Sequence, residues 1–116
     1  MSIEEGAKVA VEQCMDIQSE DRVLIVADDD SKRIGLALRE AVLKKTNFVR
    51  FFNLDLPAYG GRPLKKIPDE LNRALSEVTA SFFVAGARKG ELETVRLPLM
   101  RKVIQNARHA HLVGIN

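Results

Sequence analysis

The stretch VLIVADDDSKRIGLALREAVLKK, residues 23–45, decides the fold class. Val23–Ala27 is a continuous apolar, largely β-branched run, the pattern of a strand covered on both faces, as in parallel sheets. Asp28, Asp29, Asp30 and Ser31 close it and supply N-cap candidates whose acidic side chains suit the positive end of a helix dipole. From there to about Lys45, Ile34, Ala37, Leu38, Ala41 and Val42 recur at helical period and face inward, with Lys44-Lys45 at the end. A two-faced strand followed at once by an amphipathic helix is half of a β-α-β unit.

The same alternation extends outward. Upstream, Ser2 and Glu5 have capping-box spacing and predict a helix from about Ile3, with Ala7, Ala10, Val11, Cys14 and Met15 on its apolar face. The polar Gln18–Asp21 ends it. Downstream, Phe48–Phe52 reads as a second strand and Asn53–Ile67, with Pro57, Gly60, Gly61 and Pro63, as a long irregular loop. Loops of that length are functional, mobile or packed against something else. Pro68 beside Asp69 and Glu70 marks a helix start, with Leu71, Leu75 and Val78 as its stripe. Ser81–Ala85 reads as the third strand, and the charged Gly86–Leu97 as a loop. A helix from Pro98 carries Leu99, Met100, Val103, Ile104 and Ala107 on one side, and His109–Ile115 is the fourth strand, centred on Leu112–Ile115.

Strands separated by helical crossovers imply a small four-stranded, mostly parallel, doubly wound sheet of Rossmann-like or flavodoxin-like type, with helices on both faces. Residues 1–116 fit one α/β domain. The chain ends on a buried-type strand with no covering helix after it, which is how a domain cut from a longer polypeptide ends.

Composition excludes several classes. A net charge of +2, with basic residues scattered among acidic ones, gives no electrostatic footprint for nucleic acid or an anionic membrane. No apolar run approaches the ~20 residues of a membrane span, and the acidic N-terminus is not a signal peptide. The expected compartment is the cytoplasm. The lone Cys14, among apolar residues of a helix, reads as a buried thiol.

Several motifs suggest chemistry. The acids after Val23–Ala27 resemble the magnesium site of a response-regulator receiver, but the receiver's phosphate-accepting Asp would stand where Ala85 and Gly86 do. Their simpler reading is capping, by Asp30 or Ser31. No GxGxxG or GxxxxGK[ST] follows a strand, so a nucleotide site lacks its usual backbone. Gly86-Ala87-Arg88-Lys89-Gly90 is a possible anion cradle at the carboxyl edge of the sheet, set against the simpler reading of a solvated loop. His109 and His111 share one face of a strand but have no third ligand nearby in sequence. No residue is assigned a catalytic, cofactor-binding or metal-binding role.

Two stretches carry a family resemblance. GAKVAVEQCMDIQSEDRVLIVADDDSKRIGLALREAVLKK, residues 6–45, is similar to the opening of aminopeptidase T-type leucyl aminopeptidases, which are thermophilic metallo-aminopeptidases. RLPLMRKVIQNARHAHLVGIN, residues 96–116, resembles the end of the same region. The resemblance implies the N-terminal, non-catalytic domain of a leucyl aminopeptidase-like metallopeptidase, helping to enclose the active site and to form a dimer. It implies a divalent metal pair held by a C-terminal catalytic domain beyond Asn116, no cofactor in this chain, and no activity of this chain alone. The alternative is a free-standing small-ligand or partner-binding α/β module using the Gly86–Gly90 turn and the Asn53–Ile67 loop. No nucleic-acid or membrane partner is expected, and homo-oligomerisation is.

Overall fold

The computed structural model describes residues 2–105 and 107–111. Helix α1 (Ile3–Val9) opens on the expected cap, the Glu5 amide donating to Ser2 Oγ at 3.0 Å while that hydroxyl donates to Glu5 Oε1 at 3.1 Å. It continues as a π turn over Ala10–Cys14. Strand β1 (Val23–Ala27) is followed by α2 (Lys32–Leu43), β2 (Val49–Asn53), a 3-10 turn at Pro57–Tyr59, α3 (Asp69–Leu75) and β3 (Ala80–Phe83). A second π turn, Leu92–Arg96, runs into α4 (Leu97–Val103), and β4 spans Arg108–His111.

The four strands form one sheet in the order β2-β1-β3-β4, and every pairing is parallel. Pleating sends alternate β1 residues to opposite layers. Val23, Ile25 and Ala27 join Val11, Ile34, Leu38 and Val42 under α1 and α2. Leu24 and Val26 join Phe83, Leu71, Leu75, Leu99 and Val103 under α3 and α4. All five β1 residues are buried, as their continuous apolar run requires. The fold is thus a small doubly wound, Rossmann-like α/β sheet with helices on both faces.

The structure departs from the sequence reading at several places, each for a local reason. Cys14 is exposed rather than buried. The Met15 amide bonds the Ala10 carbonyl five residues back (2.9 Å), so the widened turn puts Met15 where Cys14 would stand at 3.6-residue spacing. Residues 86–97 are not all loop, because Leu92–Arg96 is helical and buries Val95. The apolar stripe of the last helix therefore starts earlier than Pro98, and Ile104, placed inside by periodicity, is 62% exposed one residue past α4. The fourth strand lies upstream of its expected centre; Leu112–Ile115 falls outside the described residues. Among the described residues no helix is long and apolar enough to cross a membrane.

At the amino edge of the sheet, buried Asp21 ties four segments together. Its carboxylate accepts from the Gln18 amide (2.8 Å), Thr79 Oγ1 (2.7 Å) and Arg108 Nη2 (2.8 Å), and its carbonyl accepts from Thr46 Oγ1 (2.8 Å). Burial opposes the charged form, but these donors outweigh it and leave the Asp21 carboxyl below its ordinary value.

Gly35 lets α2 lie close on the sheet. A Cβ there would stand 2.8 Å from the Phe51 ring and 3.1 Å from the Ala27 Cβ. Gly35→Val is therefore expected to destabilise the domain by about 2–3 kcal/mol despite valine's better helix propensity, as read by urea unfolding.

Candidate functional site

In a doubly wound sheet the connections leave neighbouring strands in opposite directions at one point, and ligands bind outside the carboxyl ends there. Here that point lies between β1 and β3, since β1 leads by α2 to one edge and β3 leads by α4 to the other. The first residue after β1 is Asp28, and Gly86 lies shortly beyond β3.

Asp28 is fully buried and all its acceptor positions are engaged. Oδ1 accepts from the Ser31 amide (2.9 Å) and hydroxyl (2.7 Å), and Oδ2 from the Gly86 amide (2.8 Å) and Arg62 Nη1 (2.6 Å). Ser31 Oγ in turn accepts from the Asp28 amide at 3.0 Å. Arg62, from the middle of the 53–67 loop, reaches in with its side chain 3% exposed. It forks onto Glu91, Nε to Oε2 at 3.0 Å and Nη2 to Oε1 at 2.6 Å, and Nη2 also donates to the Gly86 carbonyl at 2.8 Å. Glu91 is itself buried and accepts from the Leu64 amide at 2.7 Å. One guanidinium thus joins the end of β1, the long loop, the end of β3 and the approach to α4.

The electrostatics follow from that geometry. Burial alone would push the Asp28 carboxyl up, but donors from Ser31, Gly86 and Arg62 prevail and hold it down at about 2. Glu91 is lowered in the same way, by Arg62 and the Leu64 amide acting against burial. Burial would lower Arg62, yet Glu91 and Asp28 raise it. Two carboxylates share one deeply buried cation, and Arg88, partly exposed, supplements it with Nη2 3.9 Å from Asp28 and 3.2 Å from Asp30.

The structure places the sequence-derived candidates as follows. The Gly86–Gly90 turn does cradle an anion, but the anion is the protein's own Asp28. Neither Asp30 nor Ser31 caps α2 with its side chain. Asp30 is exposed and paired with Arg88, and the turn is instead fixed by Asp28 through Ser31. His109 Nδ1 lies 2.5 Å from the hydroxyl of buried Ser81 on the neighbouring strand. The side chain of His111 falls outside the described residues. Among the described residues no three His, Cys, Asp or Glu side chains converge as a metal site requires. The buried carboxylates Asp28 and Glu91 are taken by Arg62, so nothing among the described residues fits a metal pair, which the resemblance places in another domain.

Sequence reasoning missed Arg62 and Glu91. Their pairing joins positions 29 residues apart and leaves no periodic trace, although Glu91, Val95 and Leu99 stand four apart and could have extended the last helix backward. Beside the network, the loop and the start of α3 frame an open cleft of about 610 Å³, lined by Tyr59, Pro63, Lys65, Lys66 and Glu70 among others. Its lining mixes both charge signs.

No family model matches the chain, and no curated protein matches it significantly. Among solved structures it is similar to wild-type AmpT from Thermus thermophilus, with a TM-score of 0.64 at 14% sequence identity. The likeness covers 98% of this chain and 36% of that one, so the chain spans about a third of the relative's length. At this identity the fold is what the two proteins share.

Removing Arg62 would strand two buried carboxylates. Arg62→Ala is expected to cost roughly 3–5 kcal/mol in urea unfolding, while Asp30→Ala, at an exposed pair, stays within about 1 kcal/mol. The pH dependence follows from the lowered carboxyls: Asp28 loses less by staying charged in the folded state than in the unfolded one. Its contribution is whole above the ordinary carboxylate value of about 4 and is lost as pH falls through the folded value. Stability is therefore expected to drop steeply between about pH 4 and pH 2, with Asp28→Asn flattening part of that slope.

Proposed function

We propose that this chain is a non-catalytic α/β domain of an aminopeptidase-type metalloprotein, where it helps to enclose an active site built elsewhere. The observation that carries the reading is the likeness of nearly the whole chain, 98%, to part of AmpT, a thermophilic aminopeptidase. The similarity of residues 6–45 and 96–116 to the opening and end of such a region agrees with it. The state of the carboxyl edge supports it further. In a ligand-binding doubly wound domain the switch-point crevice admits the ligand, whereas here Arg62 occupies it and closes an ion-paired network around itself. The domain's contribution would then be shape and surface, with the metal pair and its general base supplied by another domain.

Against the alternative of a free-standing binding module stands the engagement of the Gly86 amide by Asp28. What remains to it is the open cleft of the 53–67 loop.

Leucine-p-nitroanilide hydrolysis separates the two. Residues 1–116 alone are expected to give no turnover with zinc, cobalt or manganese, and the full product of the natural reading frame to give metal-dependent turnover. Turnover by the short chain would overturn the non-catalytic assignment. An inactive full product, or a reading frame that stops at Asn116, would overturn the peptidase reading.

A further inference from the structure

The open cleft beside the 53–67 loop differs in kind from the carboxyl-edge network. It is lined from two segments, the loop from Ala58 to Lys66 and the start of α3, and its volume of about 610 Å³ falls within the roughly 300–1,000 Å³ of small-molecule sites. The loop segment is anchored, because Arg62, between Gly61 and Pro63, is the guanidinium held by Asp28 and Glu91. A lining fixed in advance lowers the ordering cost of binding. Gly60 and Gly61 leave the space clear. Both have left-handed backbone, at φ 88° and 87°, and a Cβ built on either would meet nothing within 4 Å. Backbone conformation, not packing, selects glycine there, and bare main chain lines that part of the cleft.

Three polar groups of the lining are unengaged. None of the side-chain hydrogen bonds or ion pairs among the described residues involves the Tyr59 hydroxyl, the Glu70 carboxylate or the Lys65 ammonium. Lys66, by contrast, pairs with Asp69 at 3.6 Å. The Tyr59 ring packs on the core under α3 and α4, and burial together with the Glu70 charge raises its phenol above its ordinary value. The hydroxyl therefore stays a proton donor at neutral pH. Charge then decides the ligand class. With Lys66 and Asp69 offsetting each other, Lys65 and Glu70 leave one cation and one anion. A purely anionic ligand such as a phosphate is drawn by Lys65 and repelled by Glu70, and a purely cationic one the reverse. A molecule carrying both an ammonium and a carboxylate satisfies both, while an apolar substituent covers the Tyr59 ring, Pro63 and Pro68.

We propose, independently of the peptidase reading, that the 53–67 cleft binds a small zwitterion with an apolar substituent, of the kind of an aromatic α-amino acid, Glu70 taking its ammonium and Lys65 its carboxylate. Both charged side chains are exposed, where a single ion pair contributes little. Affinity is accordingly modest, with a Kd on the order of 1 mM, and is weakened by salt.

Tyr59 is the chain's one tyrosine and there is no tryptophan, so tyrosine emission reports on the cleft directly. Titrating the whole chain with L-phenylalanine is expected to change that emission saturably. Phenethylamine and hydrocinnamate keep the ring but carry one charge each, and should bind roughly fivefold or more weakly. Glu70→Gln and Lys65→Gln should each weaken phenylalanine binding roughly threefold to fivefold. Both residues are exposed, so thermal melts of the variants should match wild type and separate lost binding from lost folding. The absence of a saturable change with phenylalanine would overturn the proposal. So would single-charge analogues that bind as well as phenylalanine, or variants that bind it unchanged. The titration involves no turnover, so its failure is distinct from a failure of the hydrolysis assay.

Discussion

The buried fork of Arg62 is the constraint on which the carboxyl half of the domain depends. A guanidinium suits the position because its planar donors can serve Glu91 side-on, Asp28 and the Gly86 carbonyl at once, which an ammonium could not. Both carboxylates are buried, and Arg62 adds to the Ser31, Gly86 and Leu64 donors that keep them ionised against that burial. Desolvating three charges is costly, and buried ion pairs are often no more stabilising than well-packed apolar residues of similar volume. What the ion network adds is specificity: no other basic residue of the loop reaches these acceptors, so the strap from Asn53 to Ile67 has one place to lie.

That arrangement changes what a polar carboxyl edge means. Acids after one strand and a glycine-bounded turn with two cations after another are features that in other doubly wound sheets face a ligand. Here they face each other. Asp28 occupies the backbone donor at Gly86, Arg62 occupies Asp28, and Arg88 stands 3.9 Å from the same carboxylate. The shifts at Asp28, Glu91 and Arg62 reflect internal satisfaction rather than readiness for chemistry. Perturbed titration marks functional sites only when a cleft and an unmet valence accompany it, and the valences at Asp28 are met.

The legible parts of the fold were those with a local, periodic cause. Val23–Ala27 declared itself because a strand buried on both faces must be apolar at every position, and α2 because Ile34, Leu38 and Val42 repeat at helical spacing. The Ser2–Glu5 cap is a contact over three residues and could be read directly. The illegible parts had non-local or aperiodic causes. The π turns at Ala10–Cys14 and Leu92–Arg96 break the 3.6-residue count, which exposed Cys14 and hid the first turn of the last helix. Arg62 reads in sequence as a solvated loop cation between Gly61 and Pro63, and its burial becomes visible only when residues 34 and 29 positions away are brought to it.

The two buried aspartates that bracket β1 complete this logic. Asp21 precedes the strand and gathers Gln18, Thr46, Thr79 and Arg108 at the amino edge, while Asp28 follows it and gathers Ser31, Arg62 and Gly86 at the carboxyl edge. The central strand is thereby clamped at both ends to segments distant in sequence, and neighbouring strands inherit their register from it. The domain's exposed surfaces include its helical faces and the outer side of the long loop. The polar groups at both edges are thus spent on one another, and what they accomplish is to fix the position of the central strand and of the long loop beside it.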